Sequence, residues 1–178
     1  MQNDIERVFF TEETIQNRVR ELGAQLSADY EGKVPILLGV LKGSFIFLAD
    51  LARNMDIMCD IEFISVSSYG AGTESSGDVK ITKALGSVIE NRHVIIVEDI
   101  LDTGLTLEHL KKYLGGLNPA SIKICTFLDK PSRRKVTLSA DYVGFESVDA
   151  FYVGYGLDYA GHYRNLPFIG SLKPEVYA

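Results

Sequence analysis

The sequence predicts an α/β fold, a central and mainly parallel twisted sheet flanked by helices. Val94-Ile95-Ile96-Val97 is a continuous β-branched run, the pattern of a strand buried on both faces at the centre of a parallel sheet. Val34–Leu41 and Ile122–Leu128 have the same character. Between such runs the apolar spacing turns helical, in Ile15, Val19, Leu22 and Leu26 and again in Leu107, Leu110 and Leu114. Strands alternating with helices are what βα units require.

Each element has its own local cause. Thr11 is placed as an N-cap with Glu12 and Glu13 in the first turn, and Phe10 is spaced to staple against Ile15. The helix that follows runs to Asp29 and serves as scaffold. Glu31-Gly32-Lys33 is a turn, and Pro35 sits near the start of the next strand, where a missing N–H is tolerated. Lys42-Gly43-Ser44 leaves that strand, and Ser44 can cap a helix from Phe45 to about Asn54. A loop lysine beside a helix N-terminus reads either as an exposed turn or as an anion seat.

Ile57–Ser67 is rich in β-branched and aromatic residues and reads as a long strand, with Val79–Ile81 returning beside it. The small and polar residues from Ser68 to Asp78, three glycines among them, form either a hairpin tip or a mobile lid. Gly115-Gly116 and Pro119 end the helix that begins near Leu107. Asp129-Lys130-Pro131 emerges from the end of Ile122–Leu128, on the same rim as Asp99 and Asp102. The last third, from Tyr142–Glu146 through Phe151–Tyr159 to His162–Pro167, holds short strands and aromatics rather than another βα unit. It fits a small lobe packed over the sheet, in which Phe151 is either core or a platform for a flat base.

The chemistry concentrates where Val94–Val97 ends. Glu98 and Asp99 follow without a break, then Ile100-Leu101, then Asp102-Thr103-Gly104-Leu105-Thr106, then the helix. Ligands of open α/β sheets bind beyond the carboxyl ends of the strands. Unpaired amides at the helix N-terminus, a glycine permitting close approach and two threonine hydroxyls favour a phosphate. Glu98 and Asp99 would repel that phosphate unless they faced sugar hydroxyls or a bound Mg²⁺. One ligand must therefore carry phosphate, polyol and metal. The pattern lacks the Gly-Lys-Ser/Thr of a Walker loop and the glycine spacing of a dinucleotide fingerprint.

The chain's 178 residues suit one domain with a sizeable core. A net charge of −6 argues against nucleic-acid and anionic-membrane partners. The one dense basic run, Arg133-Arg134-Lys135, reads as a solvated loop. Cys59 and Cys125 lie in expected strands without CxxC or His spacing, which fits buried thiols of a reducing cytosol. The first residues carry neither a basic nor an apolar targeting pattern, and no run reaches membrane-spanning length. A cytoplasmic location is expected.

The stretch Val97-Glu98-Asp99-Ile100-Leu101-Asp102-Thr103-Gly104-Leu105-Thr106 resembles the signature by which phosphoribosyltransferases hold 5-phosphoribosyl-1-pyrophosphate. Lys130 and the Phe151–Asp158 segment resemble the hypoxanthine-guanine branch, and the likeness covers nearly the whole chain. It implies a type I phosphoribosyltransferase fold, one domain over 1–178, with a core of about 11–130 and a hood from 135–178 plus the N-terminal segment. It also implies Mg²⁺, homodimers or homotetramers, and transfer of the phosphoribosyl group to hypoxanthine or guanine with release of pyrophosphate.

The same resemblance assigns roles. Asp102 becomes the general base toward purine N7, and Thr103, Gly104, Leu105 and Thr106 hold the 5-phosphate. Glu98 and Asp99 hold the ribose and metal, while Lys42, Gly43 and Arg164 meet pyrophosphate, with a cis peptide at Leu41-Lys42. Ser68 and Tyr69 close over the pyrophosphate as part of a lid. Lys130 takes the purine O6, Phe151 covers the ring, the main chain at Tyr152 and Asp158 reads its edge, and Asp158 helps a second Mg²⁺. Leu105 departs from the pattern, because the family often has a basic residue there, so only its N–H is expected to contribute. The alternatives are an RNA-binding regulator of the same fold and a transferase for another base, such as xanthine, orotate or adenine. An acidic strand end would also suit a receiver-type phosphoacceptor, which would leave Thr103–Thr106 unexplained.

Overall fold

Alternation within the buried strands decides the layering. In the computed structural model, Ile95 and Val97 pack with Ile15, Leu22, Phe47 and Leu51, whereas Val94 and Ile96 pack with Leu107, Leu110 and Leu114. Successive strand side chains point to opposite faces, so a run apolar at every position needs helices on both sides. The structure describes residues 1–68, 79–81, 85 and 89–176, with 67, 68 and 79–81 described through their backbone alone.

The described strands are β1 (Ile5–Phe10), β2 (Ile36–Leu41), β3 (Asp60–Ser68), β4 (Val79–Ile81), β5 (His93–Leu101), β6 (Ser121–Asp129), β7 (Tyr142–Glu146) and β8 (Ile169–Leu172). The helices are α1 (Glu12–Asp29), α2 (Phe45–Arg53) and α3 (Leu105–Gly115). The central sheet has the order β4-β3-β2-β5-β6-β7, parallel throughout except for β4, which pairs antiparallel with β3. A second, two-stranded sheet pairs β1 with β8, and its own small core gathers Val153, Leu166 and Leu172 against Ile5, Tyr163 and Phe168.

α1 begins and ends as expected: the Thr14 amide donates to Thr11 Oγ1 at 3.2 Å, and Ile15, Val19, Leu22 and Leu26 are fully buried. Three expectations are corrected. Ser44 precedes α2, but it lies in helical conformation and its hydroxyl donates to the Val40 carbonyl at 2.7 Å instead of capping the helix. α3 starts at Leu105, before the first periodic leucine, because Gly104 takes a left-handed conformation (φ 84°) that turns the chain directly into the helix. β7 pairs with β6 and extends the central sheet, although no helix separates it from the segment that follows. Cys59 lies just outside β3, and both cysteines are free. Phe10 stacks on Phe145 with ring centroids 4.4 Å apart. Among the described residues no helix is long and apolar enough to cross a membrane.

The topology positions a site. From β2 the chain proceeds to β3 on one side and returns to β5 on the other, so the carboxyl ends of β2 and β5 flank the point where the winding reverses. A crevice opens there in folds of this kind.

Candidate active site

Two loops meet at that crevice. The one after β2 carries Lys42 and Gly43 and contains a cis peptide at Leu41-Lys42, as expected. The one after β5 carries Asp102, Thr103 and Gly104 into α3. Together with Asp158 and Arg164 they line a cavity of about 310 Å³ that also includes Glu98, Asp99 and Thr106. The lining is otherwise aliphatic, formed by Val40, Leu41, Val66, Ile100, Leu101 and Leu107.

The close approach between loops depends on missing side chains. A Cβ at Gly43 would run into the Asp99 carboxylate, and one at Gly156 would run into the Gly43 carbonyl. Asp99 is further fixed by the Ile100 amide, which donates to its Oδ1 at 2.7 Å. Glu98 is buried beside it. Burial pushes the Glu98 carboxyl well above the usual carboxylate range, and the adjacent Asp99 charge and their shared hydrogen bond push it in the same direction. A cation placed against this pair would relieve both effects.

At the turn after β5, Gly104 is the N-cap residue of α3 and makes no side-chain cap. The amides that open the helix are therefore left for an external acceptor. The Leu105 amide lies 3.5 Å from Thr103 Oγ1, at the limit of a hydrogen bond. The turn is clasped from outside by residues that the sequence suggested were merely solvated. Arg134 Nε donates to the Asp102 carbonyl at 3.2 Å, its guanidinium also binds Asp129, and the Lys135 amide donates to the Thr103 carbonyl at 2.9 Å. Arg133 Nε approaches Asp102 Oδ1 at 3.3 Å and its other arm reaches Asp149 at 3.4 Å. Arg133 and Arg134 are thus site residues that sequence reasoning missed. Their signal was a basic run a few residues beyond Lys130, indistinguishable in one dimension from a solvated face.

Of the residues expected to hold a purine, Asp158 lines this cavity, whereas Lys130, Phe151 and Tyr152 are not among its lining residues. Lys130 is 7% exposed, with Nζ donating to the Ala150 carbonyl at 2.6 Å, 3.6 Å from Asp149 Oδ1 and 5.2 Å from the centre of the Tyr152 ring. An ammonium has three donors, and these contacts name two oxygen acceptors. Phe151 is 54% exposed, so it is not a core residue; its ring meets Tyr159 edge-on at 5.9 Å. The Tyr152 ring is buried against Phe9, and its hydroxyl donates to the Val148 carbonyl. Asp158 Oδ1 pairs with Arg164 at 2.6 Å, and its Oδ2 accepts the Gly161 amide at 2.8 Å.

Among the described residues, no three acidic, histidine or cysteine side chains are arranged to hold a metal ion. Glu98 and Asp99, expected at the ribose and metal, and Asp158, expected at a second Mg²⁺, are thus not gathered into one such group. Ser68 is the last residue of β3 and is described only through its backbone; Tyr69 and the expected lid over 69–78 lie outside the described residues.

Residues 11–160 match the model of the phosphoribosyl transferase domain. The chain belongs to the phosphoribosyltransferase family. It is 54% identical over 177 residues to the hypoxanthine-guanine phosphoribosyltransferase of Bacillus subtilis, covering 99% of this chain and 98% of that protein. It is also 54% identical to that of Staphylococcus aureus strain Mu50, over 100% of this chain and 99% of the relative. A crystal structure of a hypoxanthine phosphoribosyltransferase from Staphylococcus aureus superposes with a TM-score of 0.96 at 54% identity, covering 100% of this chain and 97% of that one. The parallel sheet with helices on both faces is thus the architecture of these enzymes.

Proposed function

We propose that this chain transfers the 5-phosphoribosyl group from 5-phosphoribosyl-1-pyrophosphate to hypoxanthine and guanine, giving IMP or GMP and pyrophosphate. The observation that carries this reading is the convergence on one cavity of an unpaired helix N-terminus, two adjacent acids, and the loop of Lys42 with Arg164. The similarity to hypoxanthine-guanine phosphoribosyltransferases supports the choice of base, and this convergence supports phosphoribosyl transfer.

In this scheme the 5-phosphate of the substrate rests on the amides and hydroxyls from Thr103 to Thr106. Glu98 and Asp99 bind the ribose hydroxyls and offset positive charge on the ring as the bond from C1 to the leaving oxygen breaks. Lys42, Arg164 and the Gly43 backbone take up negative charge on pyrophosphate. Asp102, between the phosphate turn and the base, receives the proton from purine N7. Lys130 donates to O6, Phe151 covers the ring, and the main chain at Tyr152 and Asp158 meets its edge.

The donor set also fits a hard divalent cation, since Glu98, Asp99 and Asp158 offer only oxygen. Mg²⁺ is commonly held by one or two carboxylates plus substrate oxygens, which accords with the lack of a three-residue cage. When bound, it would neutralise charge on the leaving pyrophosphate. Residues 1–178 would act as one domain in which the β1–β8 sheet and the loops around Phe151 and Arg164 form the hood, working in the cytoplasm as a homodimer or homotetramer.

A spectrophotometric assay of hypoxanthine, guanine, xanthine and adenine, each with the activated sugar and Mg²⁺, tests the proposal. Turnover is expected with the 6-oxopurines hypoxanthine and guanine and not with adenine, whose amino group cannot accept from Lys130. Lys130→Ala should narrow the preference while leaving the KM for the sugar substrate within about twofold, because a site that loses its polar partner loses discrimination before it loses anchoring. Equal activity on adenine in the parent protein would refute the assignment.

A further inference from the structure

Tyr155 and Asp50 lie outside the cavity, and no role proposed above uses them. Asp50 is a carboxylate on α2 that is 6% exposed, and Tyr155 is 3% exposed. The Tyr155 hydroxyl donates to Asp50 Oδ2 at 2.8 Å across most of the chain's length in sequence. The same oxygen accepts Gln16 Nε2 at 2.9 Å, and Oδ1 pairs with Arg53. Burial raises the Tyr155 hydroxyl above its ordinary range, and the Asp50 charge adds to this, so the group stays protonated and remains a donor.

The backbone around Tyr155 explains why such an anchor is needed. Gly154, Tyr155 and Gly156 follow one another at φ 95°, 48° and 99°. The two glycines take these angles freely, but the left-handed region is uncommon for a bulky residue such as Tyr155 and persists where the surroundings over-determine it. Tyr155 is held at both ends: its amide donates to the Leu166 carbonyl at 2.8 Å and its ring packs 4.9 Å from Phe127.

Gly156 joins this turn to Arg164 and Gly43, two residues that line the cavity. Its amide donates to the Arg164 carbonyl at 2.9 Å, and its carbonyl accepts Arg164 Nη1 at 2.6 Å. Its Cα face is pressed on the Gly43 carbonyl so closely that a methyl group would not fit. One residue therefore fixes both the Arg164 guanidinium and the loop that follows Lys42.

We propose that the Asp50–Tyr155 hydrogen bond is a positioning device for the pyrophosphate end of the site, setting through Gly156 where Arg164 and the Lys42-Gly43 loop stand. Neither side chain touches substrate. The inference rests on the phosphoribosyl-transfer reading and deepens it: loss of the bond should weaken the grip on pyrophosphate while sparing the purine and the 5-phosphate.

The test is steady-state kinetics in both directions on the intact protein and on Tyr155→Phe, Asp50→Ala, Asp50→Asn and Arg53→Ala. Tyr155→Phe and Asp50→Ala are expected to raise the KM for the activated sugar, and for pyrophosphate in the reverse reaction, by about five- to tenfold, the size of one lost buried hydrogen bond. The KM for hypoxanthine and the Kd for IMP should stay within about twofold, since Lys130 and the Thr103–Thr106 turn, which carry the O6 and 5-phosphate contacts in this scheme, lie on loops other than that of Tyr155. Asp50→Asn keeps an acceptor for the tyrosine and should restore most of the loss, and Arg53→Ala, on the solvent side of the same carboxylate, should behave as the parent.

IMP affinity reports folding independently of pyrophosphate. Unchanged constants in Tyr155→Phe would overturn the inference, as would a uniform loss of IMP, purine and pyrophosphate binding, which marks a merely structural bond. A parent protein that turns over no purine would instead overturn the functional reading, and this inference with it.

Discussion

Asp102 is the residue on which the proposed chemistry turns. Its carboxylate faces the cavity and is approached by Arg133 at 3.3 Å, with both side chains close to half exposed. Exposed pairs of this kind contribute at most about 1 kcal/mol, so the pair leaves Asp102 able to turn toward a purine. Asp102→Asn should lower kcat by about two to four orders of magnitude, the usual contribution of a positioned general base, while the Kd for the sugar substrate changes little. Parallel loss of turnover and binding would remove Asp102 from the base role. That these residues line one cavity could be read in the sequence, because adjacent acids, a glycine and two threonines follow directly on the end of a buried strand. The clasp on them could not: Arg134 reaches the Asp102 carbonyl only because β6 and β7 deliver the loop after Lys130 to the same rim.

The unit formed by β5, the turn and α3 supplies the scaffold and, in the proposed reaction, the anion seat. Leu107, Leu110 and Leu114 are buried on one helical face against Val94, Ile96 and Ile124. Leu110→Ala should destabilise the fold by about 2–5 kcal/mol, the range for large-to-small changes in a packed core, read as a lower midpoint in urea. A loss below about 1 kcal/mol would mean that α3 is not anchored as described. The period of its leucines predicted this helix, yet placed its start two residues late. Periodicity reports the buried face, and Leu105 and Thr106 are not on it, since the buried residues of the helix are Leu107, Leu110 and Leu114. The Ser44 cap failed for a related reason. A serine before a helix can bond forward to an amide or back to a carbonyl, and here the tight turn after β2 brings Val40 within reach.

Across the molecule, the alternation of strands and helices was legible because a parallel sheet demands strands apolar at every position. The β1–β8 sheet was less so: β1 is largely exposed, the pairing is irregular in register, and the two strands come from opposite ends of the chain. The central sheet also makes stability depend on pH at the alkaline end. Burial pushes the Cys125 thiol up to about 12 from an ordinary value of 9.0. A raised pKa in the folded state means that this contribution is whole below pH 9 and is lost as pH rises toward 12. Its full span is about 4 kcal/mol. Cys125→Ala should therefore flatten the fall in unfolding free energy between pH 9 and 12 relative to the parent. An identical slope in both proteins would show that the thiol is not the titrating group.

The most direct test of the whole account is a crystal structure of the chain bound to IMP. The phosphate should lie on the amides and hydroxyls from Thr103 to Thr106, with the ribose hydroxyls against Glu98 and Asp99 and the base under Phe151. A phosphate bound elsewhere, with that turn making no contact to the nucleotide, would contradict it.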